Sequence, residues 1–89
     1  MRESDLEKQV IEWVESQGGI AVRVEARGVR GWPDLDVRLP NGRAALIELK
    51  RPGGGKVSPH QVATLDRLAR LGHLVFVADS LETIRAALA

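Results

Sequence analysis

Pro40-Asn41-Gly42 separates two apolar runs, residues 34–39 and 43–50, and the length of that turn decides which side chains meet across them. Asn-Gly by itself is the signature of a two-residue type I′ hairpin turn. Pro40 suits position i+1 of a type I turn instead, with Gly42 in the left-handed position of a three-residue loop that carries a G1 bulge. A three-residue loop pairs Leu39 with Arg43 and sets Asp34 opposite Glu48. A two-residue loop sets Asp34 against Leu49 and turns Glu48 to the other side of the sheet. The turn residues favour the first register. Alternate side chains of a strand share a face, so Lys50 points the same way as Glu48.

Around this hairpin the chain reads as one α/β domain spanning 1–89. Residues 4–17 form a helix, with Ser4 as N-cap, Glu7 closing a capping box, and Leu6, Val10, Trp13 and Val14 at helical spacing. Gly18-Gly19 stops it. Residues 20–25 alternate Ile20, Val22, Val24 against Ala21, Arg23, Glu25, a strand pattern, and 26–33 form a loop punctuated by Gly28, Gly31 and Pro33. After the hairpin comes a Gly-rich basic loop, 51–57. Ser58 then caps a helix with Pro59 at its first position, an apolar face of Val62, Leu65, Leu68 and Ala69, and Gly72 at its C′ end. The apolar run 73–78 predicts a strand buried on both faces, joined to 43–50 by a parallel crossover. Ser80 caps a last helix carrying Leu81, Ile84 and Leu88.

At 89 residues the core is modest, so oligomerisation is a natural supplement. The absence of cysteine excludes disulfides and thiolate metal sites. No apolar stretch reaches the length of a membrane span, and the chain reads as cytoplasmic. Net charge is +1 but uneven: residues 21–60 hold eight basic and four acidic side chains, net +4, and the remainder five against eight, net −3. A basic middle between acidic ends suits a local polyanion site.

Two carboxylates opposed across a hairpin repel unless a cation lies between them. Mg²⁺ is commonly held by one or two carboxylates and waters, so Asp34 and Glu48 are candidate ligands and the Leu49 carbonyl a further one. Lys50 beside them could orient or deprotonate a water, or stabilise charge on a phosphate. A lone Glu-x-Lys is most often a surface ion pair. The opposed Asp34, the Gly/Pro-rich approach and the basic flank set this one apart. Glu7 borders the apolar face of its helix and is either a further carboxylate for the metal or the partner of Ser4. Gln61 points to the packed side of the second helix, as a site amide or a satisfied core amide. Gly28, Gly31 and Gly53 to Gly55 could let a nucleic-acid backbone approach main-chain N–H groups. Arg27, Arg30, Arg51 and Lys56, with Ser58 at the loop–helix junction, are candidate DNA contacts. Gly55-Lys56 is not a P-loop, because Lys50 stands where the earlier glycine is required. His60 and His73 are too far apart for a ligand pair, and Trp32 packs or stacks on a base.

Taken together, G-x-x-G-W-P-D at 28–34, I-E-L-K at 47–50 and S-P-H-Q at 58–61 resemble the VRR-NUC family of the PD-(D/E)xK nuclease superfamily, over a span from Glu7 to the strand at 73–78. The resemblance implies a restriction-endonuclease-like α/β fold, a mixed sheet of about four strands flanked by helices. It implies phosphodiester hydrolysis with Mg²⁺ or Mn²⁺, metal-site roles for Asp34 and Glu48, a catalytic role for Lys50, and supporting roles for Glu7 and Gln61. Small stand-alone members, often of phage origin, are homodimers that act on structured DNA, including four-way (Holliday) junctions. Asp36 departs from the pattern, an apolar residue being more usual there. The expectation is a metal-dependent, structure-selective DNA endonuclease. The alternatives are a non-catalytic subunit that binds structured DNA on the same fold, opposed by the intact Asp34, Glu48 and Lys50, and a small-molecule phosphohydrolase, opposed by the open basic loops.

Overall fold

The computed structural model describes all residues, 1–89. Its elements are α1 (Glu3–Ser16), β1 (Ile20–Arg23), β2 (Leu35–Arg38), a 3₁₀ turn (Pro40–Gly42), β3 (Ala44–Leu49), α2 (Pro59–Arg70), β4 (Val75–Ala78) and α3 (Leu81–Leu88). The four strands form one sheet in the order β1-β2-β3-β4. The first two pairings are antiparallel and the third is parallel. This is the expected α/β architecture, a four-stranded mixed sheet flanked by three helices.

The hairpin adopts the three-residue register. Leu35 pairs with Ile47 and Arg38 with Ala44, and the Leu39 N–H donates to the Arg43 carbonyl at 2.8 Å. One step beyond Leu35–Ile47, the same register sets Asp34 against Glu48. The turn itself differs from type I. Asn41 has φ 66° and Gly42 φ 74°, so two successive residues are left-handed, which asparagine tolerates better than most side chains.

One sheet face carries Ala21, Leu35, Val37, Ala45, Ile47, Leu49 and Ala78 and packs on Leu6, Val10 and Val14 of α1 and Ile84 and Leu88 of α3. Each fully buried aliphatic side chain contributes roughly 1.5–3 kcal/mol. In β1 the buried member is the small Ala21, while Ile20 is 64% and Val22 49% exposed. The register explains it: Ala21 aligns with Val37 and Ala45, on the face α1 covers. Two expectations fail elsewhere. β4 is an edge strand with Val77 exposed and only Ala78 buried, because it lies last in the sheet order. On α2, Val62 and Ala69 are exposed, and the inward stripe is Gln61, Thr64, Leu65 and Leu68. That stripe has the i, i+3, i+4, i+7 spacing of one helical face and begins on a polar residue.

α1 starts one residue earlier than predicted. Arg2, not Ser4, is its N-cap, and the Asp5 carboxylate accepts the Arg2 N–H at 2.9 Å. Asp5 thus fills the position assigned to Glu7 in the capping box, and Glu7 is released for another partner. The two ends of α2 follow expectation. Ser58 caps it, and Gly72 at φ 95° ends it with the His73 N–H bonded to the Leu68 carbonyl, a Schellman arrangement.

Candidate active site

Asp34, Glu48 and Lys50 lie on the sheet face opposite the main core, beneath the first turn of α2. Buried Pro33 leads into β2. The Asp34 Oδ2 accepts the Leu49 N–H at 2.8 Å, which fixes the carboxylate across the hairpin. What Leu49 is seen to supply is this amide. Glu48 is 2% exposed, the only charged side chain among the buried residues. Its Oε2 accepts from Gln61 Nε2 at 2.8 Å and lies 3.2 Å from Lys50 Nζ. Its Oε1 is buried with no hydrogen-bond partner.

Gln61 is the hub of the group. Its Oε1 accepts from Lys50 Nζ at 3.0 Å and from the Ser58 N–H at 2.9 Å, while its own N–H donates to the Ser58 hydroxyl at 3.2 Å. One side chain therefore closes the capping box of α2 and joins Lys50 to Glu48. Gln61 is a satisfied amide, and the side chains that satisfy it are Lys50 and Glu48 themselves. The Ser58 hydroxyl, a candidate DNA contact, is occupied by the cap. An ammonium has three donors; two of those on Lys50 are committed and one remains.

Two glycines hold this assembly together, and their importance was not evident from sequence. Gly31, at φ 78°, lies so close to α2 that a Cβ there would sit 2.4 Å from the His60 carbonyl oxygen and 2.6 Å from the Gln61 nitrogen. Its small size serves the docking of the 26–33 loop on α2. The Thr64 hydroxyl pins the same loop by donating to the Arg30 carbonyl at 2.6 Å. Gly55 lies on the Lys50 stem, where a Cβ would meet the Lys50 Cβ at 2.5 Å. The Gly-rich loop thus covers the methylenes and leaves Lys50 15% exposed.

The electrostatics follow from this packing. Burial first, and then the negative charge of Asp34, push the Glu48 carboxyl up to about 7; the hydrogen bond and charge of Lys50 pull the other way, and a hydrogen bond with Asp34 favours the protonated form. An orphaned, buried carboxylate oxygen beside a second carboxylate is costly when ionised. A proton relieves that cost, and so does a hard cation. The residues present therefore fit a divalent metal between Asp34 and Glu48.

Glu7 is not brought to this pair. It makes an ion pair with Arg23, and no group of three or more metal-ligating side chains forms. The reason is position: Arg23 aligns with Leu35 and Ile47, on the face covered by α1. Asp36 is taken up by Arg38, whose Nε and Nη2 donate at 2.8 and 3.2 Å. Arg27, Arg30, Arg51 and Lys56 are exposed, none of them in an ion pair. Those four remain available to phosphates.

Comparison with known proteins bears on what this arrangement serves. Residues 2–82 match the family profile described as the VRR-NUC domain. The chain belongs to the VRR-NUC domain family. It is thereby a nuclease domain of the PD-(D/E)xK-like kind. The VRR-NUC chain is 44% identical over 80 residues, 90% of its length and 85% of the relative's, to "Putative nuclease p44" of Acyrthosiphon pisum secondary endosymbiont phage 1. A solved structure titled "VRR_NUC domain" superimposes with a TM-score of 0.87 at 31% identity, covering 97% of this chain and 92% of that one. A second, titled "VRR_NUC domain protein", gives 0.76 at 19% identity over 99% and 85%, a likeness of fold.

Proposed function

We propose that this VRR-NUC domain is a divalent-metal-dependent endonuclease that hydrolyses phosphodiesters in structured DNA, including four-way junctions, and that it works as a homodimer. The observation that carries the reading is the buried, partnerless Glu48 Oε1 beside Asp34, with the Lys50 ammonium 3.2 Å from the other oxygen of the same carboxylate. Asp34 and Glu48 would hold Mg²⁺ or Mn²⁺. The metal would polarise the phosphate and make a bound water more acidic.

The protein's own part is positioning. Gln61 and Glu48 fix the Lys50 ammonium, whose remaining N–H is free for a phosphate oxygen or the attacking water. Charge that develops on the phosphate then meets a donor already in place. Arg27, Arg30, Arg51 and Lys56 would hold neighbouring phosphates without reading sequence. Two symmetric cuts in a junction call for two sites, which a twofold dimer presents. No helix is long and apolar enough to cross a membrane, and action on DNA in the cytoplasm, including that of a phage-infected host, is part of the proposal.

The test is incubation with four-way junction, flap, linear duplex and single-stranded DNA in Mg²⁺, Mn²⁺ and EDTA. Cutting should require the metal, favour branched DNA, and vanish in Asp34→Ala, Glu48→Ala and Lys50→Ala, with junction binding retained. Cutting that survives in EDTA, or in all three variants, would refute the mechanism. Binding with no cutting in any metal would favour a non-catalytic DNA-binding subunit.

A further inference from the structure

The face that carries Asp34 and Glu48 continues along the hairpin into a cavity of about 240 Å³. Its floor is the neighbouring rung of the same ladder, Asp36 paired with Leu46. Two residues along a strand span ~6.6 Å, so the cavity opens one nucleotide's reach from the carboxylate pair. Half-buried Trp32, with Leu68 and Leu74, supplies the walls, and His73 also lines it. The polar groups on the floor are the Asp36 carboxylate and the Arg38 guanidinium bound to it. Pockets for drug-sized ligands run from ~300 Å³ upward, so this one suits a single planar group.

A largely apolar cavity with one carboxylate, next to the proposed phosphate site, has the chemistry that receives an unstacked base, which stacks on aromatic or apolar walls and hydrogen-bonds through its edge. Arg38 now holds the paired edge of the Asp36 carboxylate through Nε and Nη2; being exposed, it can swing off that edge and yield both oxygens, each an acceptor, to a ligand. Guanine offers two adjacent donors, N1–H and the N2 amino group, to such a pair of oxygens. Adenine and cytosine place an acceptor nitrogen beside their amino group, and thymine has a single N–H between two carbonyls. Arg38 is exposed and can turn a free N–H toward guanine O6. We propose that the Asp36–Trp32 cavity takes an unstacked guanine from the strand whose backbone lies at Asp34 and Glu48, so that cleavage favours an unpaired guanine beside the cut. The proposal rests on the nuclease reading above. It gives a role to Asp36, the residue that departs from the family pattern.

The test varies the substrate first. In a junction or flap, each nucleotide flanking the main cut carries guanine, hypoxanthine or no base, and single-turnover cleavage is followed in Mn²⁺. At one position hypoxanthine, which lacks the N2 amino group, should slow cleavage by roughly tenfold, the effect of one hydrogen bond to a charged acceptor. The abasic site should slow it further, and Asp36→Asn should erase the difference between guanine and hypoxanthine. In parallel, thienoguanine, a fluorescent guanine that keeps N1–H and the N2 amino group, is placed at each position and followed on binding in EDTA. It should brighten at the same position with the natural protein and not with Trp32→Ala. Cleavage indifferent to the base everywhere, without brightening, overturns the pocket and leaves the nuclease reading intact. Brightening with no cutting in any metal overturns the nuclease reading and keeps the pocket as a base-binding site. Base-indifferent cleavage together with a dimer-to-monomer shift in Asp36→Asn assigns the cavity to a second copy of the chain and overturns the proposal.

Discussion

Glu48→Gln should make the metal-free protein more stable at alkaline pH while destroying its response to divalent cations. The Glu48 carboxyl is pushed from 4.5 up to about 7, by burial and then by Asp34. Its folded pKa lies above its unfolded one, so folding takes up a proton. The stability linked to that proton is complete below pH 4.5 and is lost as pH rises through about 7. At ~1.4 kcal/mol per unit, the shift corresponds to about 3 kcal/mol. Asp34 is only partly covered, and solvent on that side screens part of the repulsion, which leaves about 2 kcal/mol. For a domain of this size that is roughly 10 °C in melting temperature. The side-chain carbonyl introduced by Glu48→Gln would still accept the Gln61 amide, although Lys50 loses an ion pair. Thermal melts by circular dichroism in EDTA from pH 5 to 8.5 should show the natural protein falling and the variant nearly level, crossing near neutrality. Both carry the same histidines, so the difference isolates Glu48. Adding Ca²⁺ at pH 8 should then raise the melting temperature of the natural protein, about 2.7 kcal/mol of linkage at a hundredfold excess over Kd, and leave the variant unmoved. A natural protein whose stability does not fall between pH 6 and 8, or a variant stabilised equally by Ca²⁺, would refute the account of Glu48 as a proton-or-metal carboxylate.

Three further outcomes follow from the packing around it. Gln61→Leu removes the bridge between Lys50 and Glu48 and opens the α2 cap; melts should show a loss of about 1–2 kcal/mol, and cleavage should fall well beyond what the residual folded fraction explains, whereas equal losses would make Gln61 merely structural. Gly31→Ala forces a methyl group to 2.4 Å from the His60 carbonyl at φ 78° and should cost at least ~1–3 kcal/mol in denaturant unfolding; a neutral result would mean that the 26–33 loop does not dock on α2 as described. Arg51→Ala and Lys56→Ala should each weaken junction binding about equally for all sequences and reduce the slope of log K against log salt by roughly one, and an unchanged slope would remove that residue from the phosphate contacts.

How much of this was legible depended on whether the cause was local. The hairpin register was, because Pro40 and Gly42 act through their own backbone preferences, and it carried the Asp34–Glu48 pairing with it. The detailed turn was less so, since Asn41 took a left-handed φ that Pro40 alone did not announce. The buried face of β1 was misleading. Ile20 and Val22 are the apolar pair, yet the side that packs is set by which helix lies over which face, and Ala21 is the residue beneath α1. Glu7 failed for a related reason. Its ion pair depends on the roll of α1 over β1, which helical phase within α1 does not contain. Gly31 and Gly55 were visible as glycines, but a close approach to another segment has no signature in the chain that makes it.

The placement of Gln61 ties folding to chemistry in a way neither motif shows alone. As the third residue of α2 it completes the Ser58 capping box, and the oxygen that accepts the Ser58 N–H also accepts Lys50 Nζ. Lys50 cannot hold its position unless the first turn of α2 is formed, and that turn is pressed into place by Gly31 from one side. The Gly55 strap holds Lys50 from the other. A site built this way needs no dedicated scaffold for its lysine. The same hydrogen bonds that end the Gly-rich loop and start the helix aim the ammonium at Glu48, so a domain of 89 residues can place a buried carboxylate and its counter-charge with a core on only one face of its sheet.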